Sequence, residues 1–127
     1  MGLRILAIDD DPMLCELLHS LLEAAHYQVM VARSGEEGLA GILADPAPDA
    51  VILDLNMPDM DGFQVLETLK DRGVTNLPPI IVLTARYSQE DARRVLDLGA
   101  SDFMTKPFGN MALLSRLHAS MHRQAAT

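Results

Sequence analysis

Short apolar runs alternate along the chain with stretches whose apolar residues recur at helical spacing. Leu3–Ile8 is apolar and β-branched enough for a strand buried on both faces. Asp11-Pro12 then supplies an N-cap and a proline for a first helical turn. Leu14, Leu17, Leu18, Leu21, Leu22 and Ala25 form one stripe and predict a helix to about Ala25. Gln28–Ala32 predicts a second strand. Ser34 with Glu37 predicts a capping box for a second helix carrying Leu39, Ile42 and Leu43 inward, though Gly35, Gly38 and Gly41 weaken it. Beyond the loop Asp45–Pro48, Ala50–Leu55 predicts a third strand and Met57–Gly62 a loop. Phe63, Leu66 and Leu69 mark a third helix. Pro78-Pro79 precede a fourth strand, Ile80–Leu83. Ser88 with Asp91 caps a fourth helix, which turns Ala92, Val95 and Leu96 inward and stops at Gly99. A fifth strand near Asp102–Met104 leads to a helix capped by Asn110, with Leu113, Leu114, Leu117 and Met121 on one face. The tail from His122 to Thr127 is expected to fray.

This is an α/β chain, (βα)5, with no linker or low-complexity tract. One domain is expected over residues 1–123, with a frayed C-terminal tail at 124–127. Right-handed crossovers with helices on both faces make a doubly wound, five-stranded parallel sheet. Five strands fit the order 2-1-3-4-5 of the flavodoxin-like class, and the expected order is borrowed from that class.

Composition narrows the partners. The chain has 127 residues, 49% of them hydrophobic, enough for one domain with its own core. Its net charge of −8 makes a direct nucleic-acid partner unexpected, because phosphate binding needs a basic face. One cysteine, Cys15, excludes an internal disulfide and fits a reducing compartment; its place in the helical stripe makes it a buried, inert thiol. With no signal-like start and no run long enough to span a membrane, the expected protein is soluble and cytoplasmic. The histidines show no metal spacing and read as surface or helix-end residues. The methionines read as core filler, except Met57 and Met60, whose loop lies near the active edge.

The chemistry lies at the strand ends. In an alternating α/β protein, Asp9-Asp10-Asp11, Asp54, Thr84 and Lys106 reach one edge of the sheet. Asp10 and Asp54 would project into the crevice between adjacent strands, where only a cation lets both stay ionised. Magnesium suits such oxygen donors. The other reading of each acid is a helix cap, and Asp11 fits it. Asp54 is also a candidate nucleophile, giving an acyl phosphate. Lys106 can pair with phosphoryl oxygens and the Thr84 hydroxyl can donate to them. Lys106 precedes Pro107, and a cis peptide there would aim its side chain inward. Phe103 reads either as a core aromatic or as a sensor of where Thr84 points.

These residues together resemble the receiver domain of two-component response regulators. The likeness runs from Leu3 to about Met121. It rests on Asp9-Asp10-Asp11-Pro12, Asp54-Leu-Asn-Met-Pro58 with Asp61-Gly62, Thr84-Ala85 and Lys106-Pro107-Phe108. The resemblance implies that Asp54 accepts a phosphoryl group from a phosphohistidine on a sensor histidine kinase or histidine phosphotransfer protein. It implies that Asp10 and Asp54 hold Mg2+ with the backbone carbonyl of Asn56, Asp9 acting mainly through water. It makes Lys106 and Thr84 the phosphoryl contacts and Phe103 the switch aromatic. The surface of the fourth helix, fifth strand and fifth helix would then shift to control an unidentified downstream protein. Such a protein is a switch and not an enzyme, beyond phosphotransfer to its own Asp54 and slow autodephosphorylation. Asn56 and Arg86, each two residues past a pocket residue, are positioned to tune the lifetime of the acyl phosphate.

The fifth helix opens with Met111-Ala112-Leu113 where an acidic residue often sits in dimerising relatives, so a monomer or weak dimer is expected. The alternatives are a phosphorylation-independent scaffold, which should have lost a pocket residue, and a phosphatase with an Asp nucleophile. The latter needs a second Asp where this chain has Asn56.

Overall fold

The computed structural model describes residues 2–85 and 88–125. Its elements are β1 (Arg4–Ile8), α1 (Pro12–Ala24), β2 (Gln28–Ala32), α2 (Gly35–Ile42), β3 (Ala50–Leu53), α3 (Gly62–Asp71), β4 (Ile80–Thr84), α4 (Gln89–Asp97), β5 (Asp102–Thr105) and α5 (Asn110–Ala125). The strands form one parallel sheet in the order β2-β1-β3-β4-β5. The expected fold class is therefore the observed one.

The period-two alternation of the strands divides the core in two. Leu6, Ile8, Val51, Leu53, Ile80 and Val82 pack on one face with Leu39 of α2, Phe63 and Leu66 of α3 and Val95 of α4. Ile5, Ala7, Ala50, Ile52, Ile81 and Leu83 pack on the other with Leu18 and Leu22 of α1 and Leu113 and Leu117 of α5. Each large aliphatic or aromatic side chain among them contributes about 1.5–3 kcal/mol by leaving water.

Caps set the helix starts. Asp11 accepts from the Met13 and Leu14 amides, and Pro12 follows at the first turn. Ser88 accepts from the Asp91 amide. Ser34 accepts from the Glu37 amide at 3.1 Å, but the Glu37 carboxylate lies near the Ser34 hydroxyl and not its amide, so only half of the expected box forms. A complete box stands instead at Asp61 and Gln64. Asn110 is the first residue of α5 and not its cap: the Leu113 amide bonds to the Gly109 carbonyl. Gly99, at φ +111°, ends α4 with the Ala100 amide on the Val95 carbonyl.

Other differences have physical causes. β3 ends at Leu53 and not Leu55, because the Leu55 carbonyl is taken by the Gly62 amide as α3 folds back. Leu96 faces solvent, 47% exposed, leaving Val95 the only fully buried residue of α4. Leu17 is exposed on α1. Met57 is buried in the core, while Met13 and Met111 are exposed, the reverse of their expected places. The helix of α5 continues past His122 to Ala125.

Candidate functional site

The hydrogen-bond ladder continues past the strand ends. The Asp9 amide donates to the Ala32 carbonyl, the Asp54 amide to the Ile8 carbonyl, and the Lys106 amide to the Thr84 carbonyl. Each side chain therefore starts from a backbone fixed to the neighbouring strand. The Lys106-Pro107 peptide is cis.

Asp9 and Asp54 are buried, 3% and 4% exposed, and Thr84 is fully buried, whereas Asp10 is exposed. One carboxylate oxygen from each of Asp9, Asp10 and Asp54 lies within 4.8 Å of the others. The Lys106 ammonium donates to Asp9 Oδ2 at 2.8 Å and lies 3.7 Å from Asp54 Oδ1. Asp9 Oδ1 accepts from the Asp11 amide at 2.9 Å, and the Cys15 thiol donates to the Asp9 carbonyl at 3.2 Å. Burial and the nearby Asp9 carboxylate push the Cys15 thiol up, so it stays a donor.

Burial, and then the charge of Asp9, push Asp54 above its ordinary value. Lys106, the Asn56 amide and the Thr84 hydroxyl pull in the other direction and offset only part of that. Asp54 Oδ1 has no hydrogen-bond partner among the described residues. A buried, unsatisfied carboxylate oxygen beside a second buried carboxylate is a costly arrangement that a cation relieves. Oxygen donors with one open flank, at Asp10, fit a hard divalent ion such as Mg2+.

A model of the response regulator receiver domain matches residues 5–118. The chain belongs to the response regulator receiver family. It is 43% identical over 122 residues to the transcriptional regulatory protein KdpE of Mycobacterium tuberculosis, covering 96% of this chain and 52% of KdpE. It is 41% identical over 120 residues to the transcriptional regulatory protein CpxR of Klebsiella pneumoniae, covering 94% of this chain and 50% of CpxR. The chain thus spans about half the length of these curated relatives. Among solved structures, a Francisella response regulator receiver domain superposes with a TM-score of 0.88 at 28% identity, covering 97% of this chain and 99% of that one. The Vibrio cholerae chemotaxis protein CheY4 superposes with a TM-score of 0.83 at 31% identity, covering 94% and 99%.

Receiver domains of two-component systems carry a phosphorylatable aspartate and bind Mg2+ at an acidic pocket, and the three aspartates form such a pocket here. Relatives in the family are signalling proteins and not metabolic enzymes. The expectation of no nucleic-acid partner finds no support in them, since KdpE and CpxR are transcriptional regulatory proteins. Among the described residues no helix is long and apolar enough to cross a membrane.

The structure brings Asp9, Asp10, Asp54 and Lys106 together, with Thr84 bonded to Asp54. Asn56, two residues past Asp54, is exposed. Phe103 is half-buried against the α2–α4 side of the core, in register with Val82, two residues before Thr84. Arg86 lies outside the described residues. Sequence reasoning missed the direct Asp9–Lys106 pair and the place of Cys15 behind Asp9. It also gave no role to the Asp61 cap, although Asp61 with Gln64 is a legible capping signal.

Proposed function

We propose that Asp54 accepts a phosphoryl group from a phosphohistidine of a sensor histidine kinase or histidine phosphotransfer protein. The observation that carries this reading is Asp54 Oδ1: buried, without a hydrogen bond among the described residues, and 3.7 Å from the Lys106 ammonium. That oxygen attacks phosphorus; the O–P bond forms and the P–N bond breaks. The imidazole, protonated on its other nitrogen, leaves as a neutral ring.

Asp9, Asp10 and Asp54 would hold Mg2+ with the Asn56 backbone carbonyl. When bound, such an ion would screen the repulsion between carboxylate and phosphoryl oxygens. Lys106 moves from Asp9 to a phosphoryl oxygen as a point charge. Thr84 turns its hydroxyl from Asp54 to the new group. Phosphorylation adds about −1.5 to −2 charges at one point. Phe103 shares a face with Thr84, and the thinly seated α4 follows, so the α4-β5-α5 surface changes its population of conformers and hence its partner. Asn56 and Arg86 tune the lifetime of the acyl phosphate.

Intact mass after incubation with acetyl phosphate and Mg2+, for wild type and Asp54→Asn, tests the reading. A gain of one phosphoryl group in wild type alone supports it. A wild type that gains nothing, either from acetyl phosphate or from purified phosphorylated kinases, overturns it in favour of a scaffold. Arg86→Ala should change the dephosphorylation rate measured on the same species.

A further inference from the structure

The Asp54–Gly62 segment is confined at two points by missing side chains. At Gly62, the first residue of α3, an added Cβ would lie 2.5 Å from the Asp54 carbonyl oxygen and 2.9 Å from the Leu55 Cα. Both neighbours are backbone, so no side-chain rotation relieves the contact. The Gly62 amide donates to the Leu55 carbonyl, and the Asp61–Gln64 box fixes the helix start directly before it. At Gly35, the first residue of α2, a Cβ would run into the Met60 carbonyl oxygen and come within 2.8 Å of the Met60 Cβ. The loop that follows Asp54 is thus pressed by α3 from one end and by α2 from the side.

We infer that Gly62, supported by Gly35, is a positioning residue for Asp54. The inference rests on the reading of Asp54 as phosphoacceptor and extends it. The absent Cβ lets the N-terminus of α3 sit against the Asp54 carbonyl. That contact sets where the Asp54 carboxylate stands relative to Asp9, Asp10 and Lys106. A misplacement of about 1 Å can cost on the order of a hundredfold in a reaction governed by orientation.

Gly41 provides a control. A Cβ there would meet Leu6 Cδ2 at 2.7 Å, the end of a flexible side chain in the core beneath α2, and not the backbone of the Asp54–Gly62 segment. Gly62→Ala, Gly35→Ala and Gly41→Ala should be compared by Mg2+ titration calorimetry, by the rate of phosphoryl gain from acetyl phosphate, and by urea denaturation. A crystal structure of Gly62→Ala should show where the Asp54 carbonyl lies.

The expected result for Gly62→Ala is roughly tenfold or more weaker Mg2+ binding and slower phosphorylation, with the Asp54 carbonyl displaced. Gly35→Ala should shift both readouts in the same direction by less. Gly41→Ala should lose stability while keeping both within twofold of wild type. Equal losses in Gly41→Ala, or unchanged Mg2+ affinity in folded Gly62→Ala and Gly35→Ala, overturn the inference. If Gly62→Ala does not fold, Gly35→Ala decides it. Because Mg2+ affinity and the Asp54 carbonyl position are read without phosphotransfer, a wild type that binds Mg2+ but takes no phosphoryl group removes the functional reading and leaves the positioning inference standing on those two measurements.

Discussion

The ammonium of Lys106 donates to Oδ2 of Asp9 at 2.8 Å, across the width of two intervening strands in the sheet. This pair neutralises one of two buried carboxylates and partly shields the other, 3.7 Å away. Lys106→Ala leaves both anions buried without that cation. Removing one partner of a buried pair costs about 3–5 kcal/mol, less where water reaches the lysine, as it does here. A loss of about 1–3 kcal/mol in urea denaturation without Mg2+ is expected, together with loss of phosphorylation. Unchanged stability would mean that the pair contributes nothing.

Asp54 gives a pH-dependent prediction. Its folded-state pKa is raised by burial and by Asp9, so the folded protein holds that proton more tightly than the unfolded chain. For this group, stability is highest below the unfolded carboxylate range. It falls as pH rises through the raised folded value, and above that the ionised form is a constant cost. Asp54→Asn removes the cost, so without Mg2+ it should be more stable than wild type at neutral pH. The gap should close on acidification. Denaturation midpoints measured across the acidic range would show it, and a pH-independent difference would contradict it.

Asp10 contributes little to the resting fold, being exposed and outside the ion pairs of Lys106. Asp10→Asn should therefore keep the stability of wild type in the absence of metal. Wild type should gain about 1.4 kcal/mol when Mg2+ reaches roughly ten times its dissociation constant, and Asp10→Asn should gain much less. Thermal melts with and without Mg2+ read both effects. An equal gain in the two proteins would remove Asp10 from the metal site.

Ser120 is buried on α5, and its hydroxyl has no hydrogen-bond partner among the described residues. An unsatisfied buried hydroxyl costs about 1–3 kcal/mol. Ser120→Ala should raise stability by roughly 1 kcal/mol and leave phosphorylation untouched. A loss of stability would point to a partner for this hydroxyl in solution.

Much of the architecture was legible because the central strands β1, β3 and β4 are almost wholly buried and the element ends are marked by caps, glycines and prolines. What was misread has a common origin in the third dimension. Leu55 and Met57 look like strand and loop, yet both are buried because α3 folds back over them. Leu96 fits the helical stripe, but α4 covers the margin of the sheet and needs only Val95 beneath it. Met13 and Met111 stand at helix starts, beyond the layer that the sheet covers.

The inward acid could have been read more closely. Asp9 keeps the parity of Ile5 and Ala7, and Asp54 that of Ala50 and Ile52, all of which face α1 and α5. Period-two alternation therefore marks Asp9 as the partner of Asp54, and puts Asp10 on the parity of Leu6 and Ile8, toward the opposite face. The pairing of Lys106 with Asp9 depends on a loop path that no local pattern encodes.

The Asp54 end of β3 is enclosed by two helices and the strands beside it, whereas α4 buries one valine and reaches α3 through the exposed Arg94. Drift under selection should follow that division. Substitutions around Asp54 are confined by backbone and carry a penalty in folding and in chemistry alike. Those on the outer turns of α4 are nearly free in both respects. A lineage built on this frame can change its audience many times while keeping one way of receiving the message.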